Sequence, residues 1–195
     1  MIRIVTDSAA DLTAAELSVP GVFVVPLSVT FADGTTQLDD GTMTKDEFFV
    51  RLAEDSKLPR TSQPSPASFM QVYEDAEAAG DEVLVITIGQ KLSGTYQCAH
   101  LAAADVGLQA HIVDSEAASQ GEALLVREAV RLRDEEGLTA EEIAARVDMP
   151  REKVAELLQL SPDVCSLDVP VGDEDKSSFG NLLEDLEAPQ PQEEL

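Results

Sequence analysis

The sequence predicts an α/β protein: an open, mostly parallel sheet of four strands flanked by helices over residues 1–137, then a short helix pair over 138–160 and an acidic, largely irregular tail over 161–195. Three observations carry that prediction. Short β-branched runs alternate with helix-length amphipathic segments, a pattern that calls for parallel pairing through right-handed crossovers. The run Val83 to Ile88 is continuously apolar, as a strand covered on both faces must be. Beyond Gly137 the chain turns rich in acids and prolines.

The elements follow in order. Ile2 to Thr6 is a β-branched run ending in Asp7-Ser8, followed by alanine-rich sequence with Asp11 or Thr13 available as an N-cap. Val22 to Phe31 reads as a second strand that Pro26 consigns to an edge or a bulge. Thr44 opens a helix through Leu52 with Phe48, Phe49 and Leu52 on one face. Pro66 stands at the first position of a helix reaching Ala79, whose inner face is Phe69, Val72, Tyr73 and Ala76. Val83 to Ile88 is the third strand, Thr95 to Ala104 a helix of small residues, and His111 to Asp114 the fourth strand. A helix over Ala123 to Arg133 closes at Gly137. Past it, Thr139 to Val147 starts with a capping box, Thr139-Ala140-Glu141-Glu142, and a further helix spans Arg151 to Leu160.

Composition limits what such a protein binds. With 38 acidic against 13 basic residues, the net charge of −25 repels nucleic-acid backbones and anionic membranes, so direct nucleic-acid binding is not expected. A hydrophobic content of 44% fills a core, and with 4% aromatic residues and no tryptophan that core should be aliphatic. Cys98 and Cys165 form no CxxC pair, so neither a disulfide framework nor a zinc site is expected. No signal peptide and no run of about 18 apolar residues is present, which predicts a cytoplasmic protein without a membrane span.

The chemistry concentrates in two hydroxyl-rich turns, Thr61-Ser62-Gln63-Pro64-Ser65 and Leu92-Ser93-Gly94-Thr95-Tyr96-Gln97. Ligands of open parallel sheets collect at the carboxyl ends of the strands, where Asp7-Ser8, residues 89–94 and Asp114-Ser115 all fall. Hydroxyls and helix-start N–H groups converging there suit an anion, although each hydroxyl taken alone is as well explained as a helix cap. Thr61, Ser62 and Ser93, with the backbone at Gly94 and Thr95, are the candidate binding residues. Lys91 is the one cation nearby, so a monocarboxylate fits better than a phosphate ester. Each hydrogen bond to it contributes about 1.5–3 kcal/mol, and each buried methylene of an acyl body about 0.8 kcal/mol. A Ser93–His100–Asp114 triad is disfavoured because no GxSxG elbow is present and His100 follows on the same helix. Metal binding by His100, His111 and Asp39-Asp40 lacks ligand spacing, and no dinucleotide or P-loop fingerprint occurs. The expectation is a noncatalytic binding protein with no cofactor and no metal.

Thr6-Asp7-Ser8, Val25-Pro26-Leu27, the two hydroxyl-rich turns, Val113-Asp114-Ser115 and Ser119-Gln120-Gly121 stand in an order that resembles the DegV family of bacterial fatty-acid-binding proteins. The resemblance implies a long-chain fatty acid whose carboxylate is held by Thr61 and Ser93, and a separate fatty acid kinase as a partner. It also implies a second, tunnel-closing domain that this chain lacks, so weak binding in an open groove and a homo-oligomer are expected. Residues 139–187 instead resemble the middle of a primary bacterial sigma factor, through Glu141-Glu142-Ile143-Ala144, Met149-Pro150-Arg151-Glu152-Lys153-Val154, Ser166 to Gly172 and Phe179 to Asp185. The chain thus resembles a fusion of two fragments. Its alternative function is as a transcription-associated module binding RNA polymerase through residues 138–187.

Overall fold

In the computed structural model, which describes residues 1–55 and 57–148, four parallel strands form the central sheet. They are β1 (Ile2–Asp7), β2 (Val22–Val25), β6 (Glu82–Thr87) and β7 (Ala110–Asp114), in the order β2-β1-β6-β7. The inner position of β6 follows from its sequence. Val83 and Val85 point to one face and Leu84 and Ile86 to the other, and all four are buried.

Each face has its own helical cover. On one side α3 (Pro66–Ala79) and α4 (Thr95–Val106) pack Phe69, Tyr73, Cys98, Ala99 and Ala102 against Val5, Val83 and Val85. Alanines on α4 allow the two helices a close approach, and the Tyr73 hydroxyl donates to the Ala99 carbonyl at 3.2 Å. The interior is therefore mostly aliphatic, its buried aromatics being Phe31, Phe69 and Tyr73 among the described residues, the last two the largest fully buried side chains. On the other side α5 (Gln120–Arg131) and α6 (Ala140–Val147) bury Val126, Ala129, Ile143 and Val147 against Ile4, Leu84 and Ile86.

Helix α6 corrects the expected boundary at residue 137. Its Thr139 forms the expected capping box with Glu142, but Ala140, Ile143 and Val147 fill the core of the sheet's second face, so the compact unit runs Met1–Met149. Gly137, left-handed at φ 66°, ends a π-helical turn over Leu132–Glu136 and redirects the chain inward rather than out of the domain. The expected helix over 151–160 and the tail over 161–195 lie outside the described residues.

The predicted second strand is two strands in two sheets. β2 ends at Val25, and beyond Pro26 the chain enters β3 (Ser28–Thr30), which pairs antiparallel with β4 (Thr36–Leu38) and β5 (Arg60–Ser62). Proline supplies no N–H for continued pairing, and the next one, on Leu27, goes to Ser8 Oγ at 3.1 Å. This second sheet leans on α2 (Lys45–Glu54), capped by Thr44. No residue of α2 is buried and Phe49 is 61% exposed, against the expectation of an inward Phe48–Phe49–Leu52 face. Thr13 caps the short α1 (Ala14–Leu17), while Asp11 is the left-handed residue before it.

Candidate anion-binding site at the strand ends

The loop between β6 and α4, residues 88–94, is clamped by the strands on both sides of it. Asp7, at the end of β1, accepts the Ile88 N–H at 2.8 Å, and Asp114, at the end of β7, accepts the Gln90 N–H at 3.0 Å. Gly89 donates to the Ala117 carbonyl at 2.8 Å and lies so close to residues 116 and 117 that a Cβ would stand 3.1 Å from backbone. Leu92 and Ser93 N–H groups fold back onto the Gly89 carbonyl. The rim also holds all three non-glycine left-handed residues of the described chain, Asp11, Glu116 and Ser119, a form of strain that gathers at functional sites.

This clamp sets the start of α4. Gly94 is its N-cap without a side-chain cap. Ser93 Oγ receives the Thr95 N–H at 3.3 Å and lies 2.9 Å from Thr95 Oγ1. Thr95 is fully buried, so its hydroxyl and its N–H face Ser93 rather than a ligand. Either hydroxyl of this pair can be the donor; in the arrangement in which Thr95 donates, the half-buried serine has its own hydrogen for an incoming acceptor. Among the described residues the N–H groups of Gly94, Tyr96 and Gln97 have no acceptor, as the first turn of a helix leaves them.

The second turn reaches the same place by way of Gln63. Its carboxamide covers Gly94 so closely that any Cβ there would overlap the amide oxygen, and the Cys98 thiol donates to the Pro64 carbonyl at 3.2 Å. The two hydroxyl-rich segments therefore meet. Thr61 and Ser62 sit on β5, paired with Val29 and Ser28, with exposed side chains. No hydrogen bond joins Thr61 to Ser93 among the described residues, and Ser65 serves as the N-cap of α3.

The triad alternative finds no geometry. His100 stacks edge-on against Tyr96 at 4.6 Å, and Asp114 Oδ1 is occupied by the Gln90 and Glu116 N–H groups. Among the described residues no group of three or more His, Cys, Asp or Glu side chains is placed to hold a metal ion, and no helix is long and apolar enough to cross a membrane.

One feature under the loop escaped the sequence reading. Glu122, in the first turn of α5, is fully buried, and its Oε1 accepts the Thr6 hydroxyl at 2.9 Å. Burial and then the negative charge of Asp7 push its carboxyl up to about 9. Asp7, also fully buried, is pushed up to about 6 by burial, against the pull of the Ile88 and Ala9 N–H groups. A signal was available, since Glu122 precedes Val126 by one helical repeat and Val126 by its neighbours marks the inward stripe of α5.

The chain is similar to several known proteins. Residues 1–161 match the model of the family described as "Uncharacterised protein, DegV family", and residues 136–195 match that of sigma-70 region 3. A DegV domain-containing protein of Listeria monocytogenes is 37% identical over 152 residues, covering 78% of this chain and 54% of the relative. The solved structure described as fatty acid binding of a DegV family protein from Thermus thermophilus superposes with a TM-score of 0.68 at 40% identity, over 75% of this chain and 52% of that one. The fatty acid kinase B3 protein of Streptococcus pneumoniae, loaded with linoleic acid, does so with a TM-score of 0.66 at 26% identity, over 75% and 53%. The chain thus spans about half the length of the relatives it matches. A family model that matches residues 1–161, with a relative 37% identical over 152 residues, shows that this chain belongs to the DegV family.

Proposed function

We propose that the protein binds a long-chain fatty acid by its carboxylate and carries it without chemical change. The observation that supports this best is the half-buried Ser93 hydroxyl, held by Thr95 at the start of a 12-residue helix where the N–H groups of Gly94, Tyr96 and Gln97 have no acceptor among the described residues. Ser93 and the backbone at Gly94 hold the carboxylate, Thr95 orients Ser93, and Thr61 and Ser62 approach from β5. The fatty acids named for the Thermus and Streptococcus relatives agree with a monocarboxylate, as does the scarcity of cations on this rim. A cytoplasmic carrier that hands its acid to a separate fatty acid kinase is the role that fits, given the kinase-associated name of the Streptococcus protein. Solvent-facing apolar side chains such as Leu92 on the loop, with Phe49 and Leu58 elsewhere on the surface, would favour self-association of the protein.

A fluorescent fatty-acid displacement assay tests the site. Ser93→Ala should lose about 1–3 kcal/mol of affinity, roughly 5- to 150-fold, with the fold intact. Unchanged binding would remove Ser93 from the site. The sigma-70 region 3 match over residues 136–195 supports a second reading, a fused segment that binds RNA polymerase. Its first stretch is α6, which belongs to the α/β core, so any such contact would rest on residues after 148. Capture of RNA polymerase core by the purified chain is the test, and failure at micromolar concentration ends that reading.

A further inference from the structure

Two carboxyl groups lie beneath the Ser93 loop that ligand holding does not use. Asp7 ends β1 and Glu122 begins α5, both without solvent exposure. Asp7 binds the loop itself, accepting Ile88 N–H at 2.8 Å with one oxygen and Ala9 N–H at 3.0 Å with the other. Glu122 uses one oxygen on Thr6, and its Oε2 is buried without a partner among the described residues. An unpartnered oxygen in a dry interior is far less costly on a neutral carboxyl than on a carboxylate. Burial raises both carboxyls, and since Asp7 has two backbone N–H donors to hold its charge while Glu122 has one hydroxyl and an unpartnered oxygen, the proton the pair keeps belongs on Glu122.

The surroundings offer little to offset a second buried charge. Asp11, Asp39, Asp40 and Lys45 share with Asp7 a cavity of about 380 Å³, Lys91 stands on the β6 loop, Asp114 and Glu116 on the β7 loop, and Arg127 on α5. The three cations are engaged elsewhere: Lys45 lies 3.3 Å from Asp11, Lys91 lies 3.9 Å from Glu116, and Arg127 pairs with Glu16. A carboxylate arriving at Ser93 brings one more negative charge to this end of the sheet. Like charges in a poorly solvated setting raise each other's proton affinity.

Resting on the fatty-acid reading above, we propose that Asp7 and Glu122 are positioning residues that make carboxylate capture proton-linked. The pair holds one proton while the headgroup is bound, and the site loses affinity for an anionic headgroup when both carboxyls ionise. Asp7 transmits the state of the pair to the loop through Ile88, and Glu122 determines whether one buried charge or two face the ligand.

The test compares the full chain with Glu122→Gln, which keeps the Thr6 hydrogen bond but cannot ionise, between pH 7 and 9.5. The probes are a fluorescent long-chain fatty acid and the corresponding fatty alcohol. The wild-type chain should lose roughly fivefold or more of its affinity for the acid across that window, the variant should stay flat, and the alcohol should show no pH dependence with either. Equal slopes for wild type and variant overturn the proton linkage alone. Absence of saturable binding of acid and alcohol at every pH overturns the fatty-acid reading and the linkage with it. Titration calorimetry of the wild-type chain at pH 8.5 in two buffers of different ionisation enthalpy needs no variant: net proton uptake on binding the acid supports the linkage, and none overturns it.

Discussion

The parallel sheet and the antiparallel sheet beside it are held together by different means. Around β6 the side chains of both faces vanish from solvent, so stability there comes from apolar burial, about 25 cal/mol per Å². The β3–β4–β5 sheet has strands of three residues, two of them exposed along their whole length. It is held by Arg51, whose guanidinium lies 3.7 Å over the Phe31 ring and 2.9 Å from Asp33, and by the paired hydroxyls of Thr30 and Thr36. The first region is a scaffold. The second is a lightly anchored flap that carries Thr61 on β5 and leads into Gln63, whose carboxamide lies on Gly94, and local opening of such elements precedes global unfolding.

The largest effect should come from the scaffold. Leu84→Ala, in the middle strand, should cost about 2–5 kcal/mol in urea unfolding, whereas Phe49→Ala on α2 should stay within about 0.5 kcal/mol. Similar losses for both would erase the contrast. Next is the buried pair. Asp7 and Glu122 titrate higher folded than unfolded, from 3.8 to about 6 and from 4.5 to about 9. Each therefore contributes stability that is complete below its ordinary value and lost as pH rises through its folded value. Glu122→Gln should accordingly melt higher than wild type above pH 5, by an amount that grows up to pH 9, and a falling difference over that range would refute the neutral Glu122.

Gly94→Ala probes the seam between the regions. The new methyl would displace the Gln63 carboxamide, so affinity for a fluorescent fatty acid should fall about tenfold while the melting temperature barely moves, and Gln63→Gly should restore part of the loss. Smallest globally is Arg51→Ala, expected to leave urea unfolding within about 1 kcal/mol yet to speed hydrogen exchange at amides 28–38. Unchanged exchange there would mean that the flap is held by something other than Arg51.

The same contrast explains what the sequence disclosed. Continuous apolar runs such as Val83 to Ile86 and helix-start signals such as Thr44, Pro66 and Thr139 announce themselves locally, so the parallel sheet and its helices were legible. The flap was not, because Ser28–Thr30 and Thr36–Leu38 are too short for a period and owe their pairing to a turn at Gly34 and to Arg51 from a distant helix. The boundary at Gly137 misled for a related reason: a left-handed glycine ends a helix whether the chain then leaves the domain or folds back into it. At the site, the two hydroxyl-rich turns with Thr61, Ser62 and Ser93 and the strand-end turns were readable as a set. The inward direction of Thr95 was not, since it depends on how α4 lies on the sheet. Glu122 was missed because an acid in a polar helix start reads as an ordinary dipole partner until its burial is seen.

The clamp on residues 88–94 has a kinetic corollary. A loop tied at Ile88 by one strand and at Gln90 by another has little ordering left to undergo when a headgroup arrives. Encounter should therefore be limited by diffusion and by entry of the acyl chain, without a slow rearrangement step, and acids of different length should differ in residence time far more than in arrival rate.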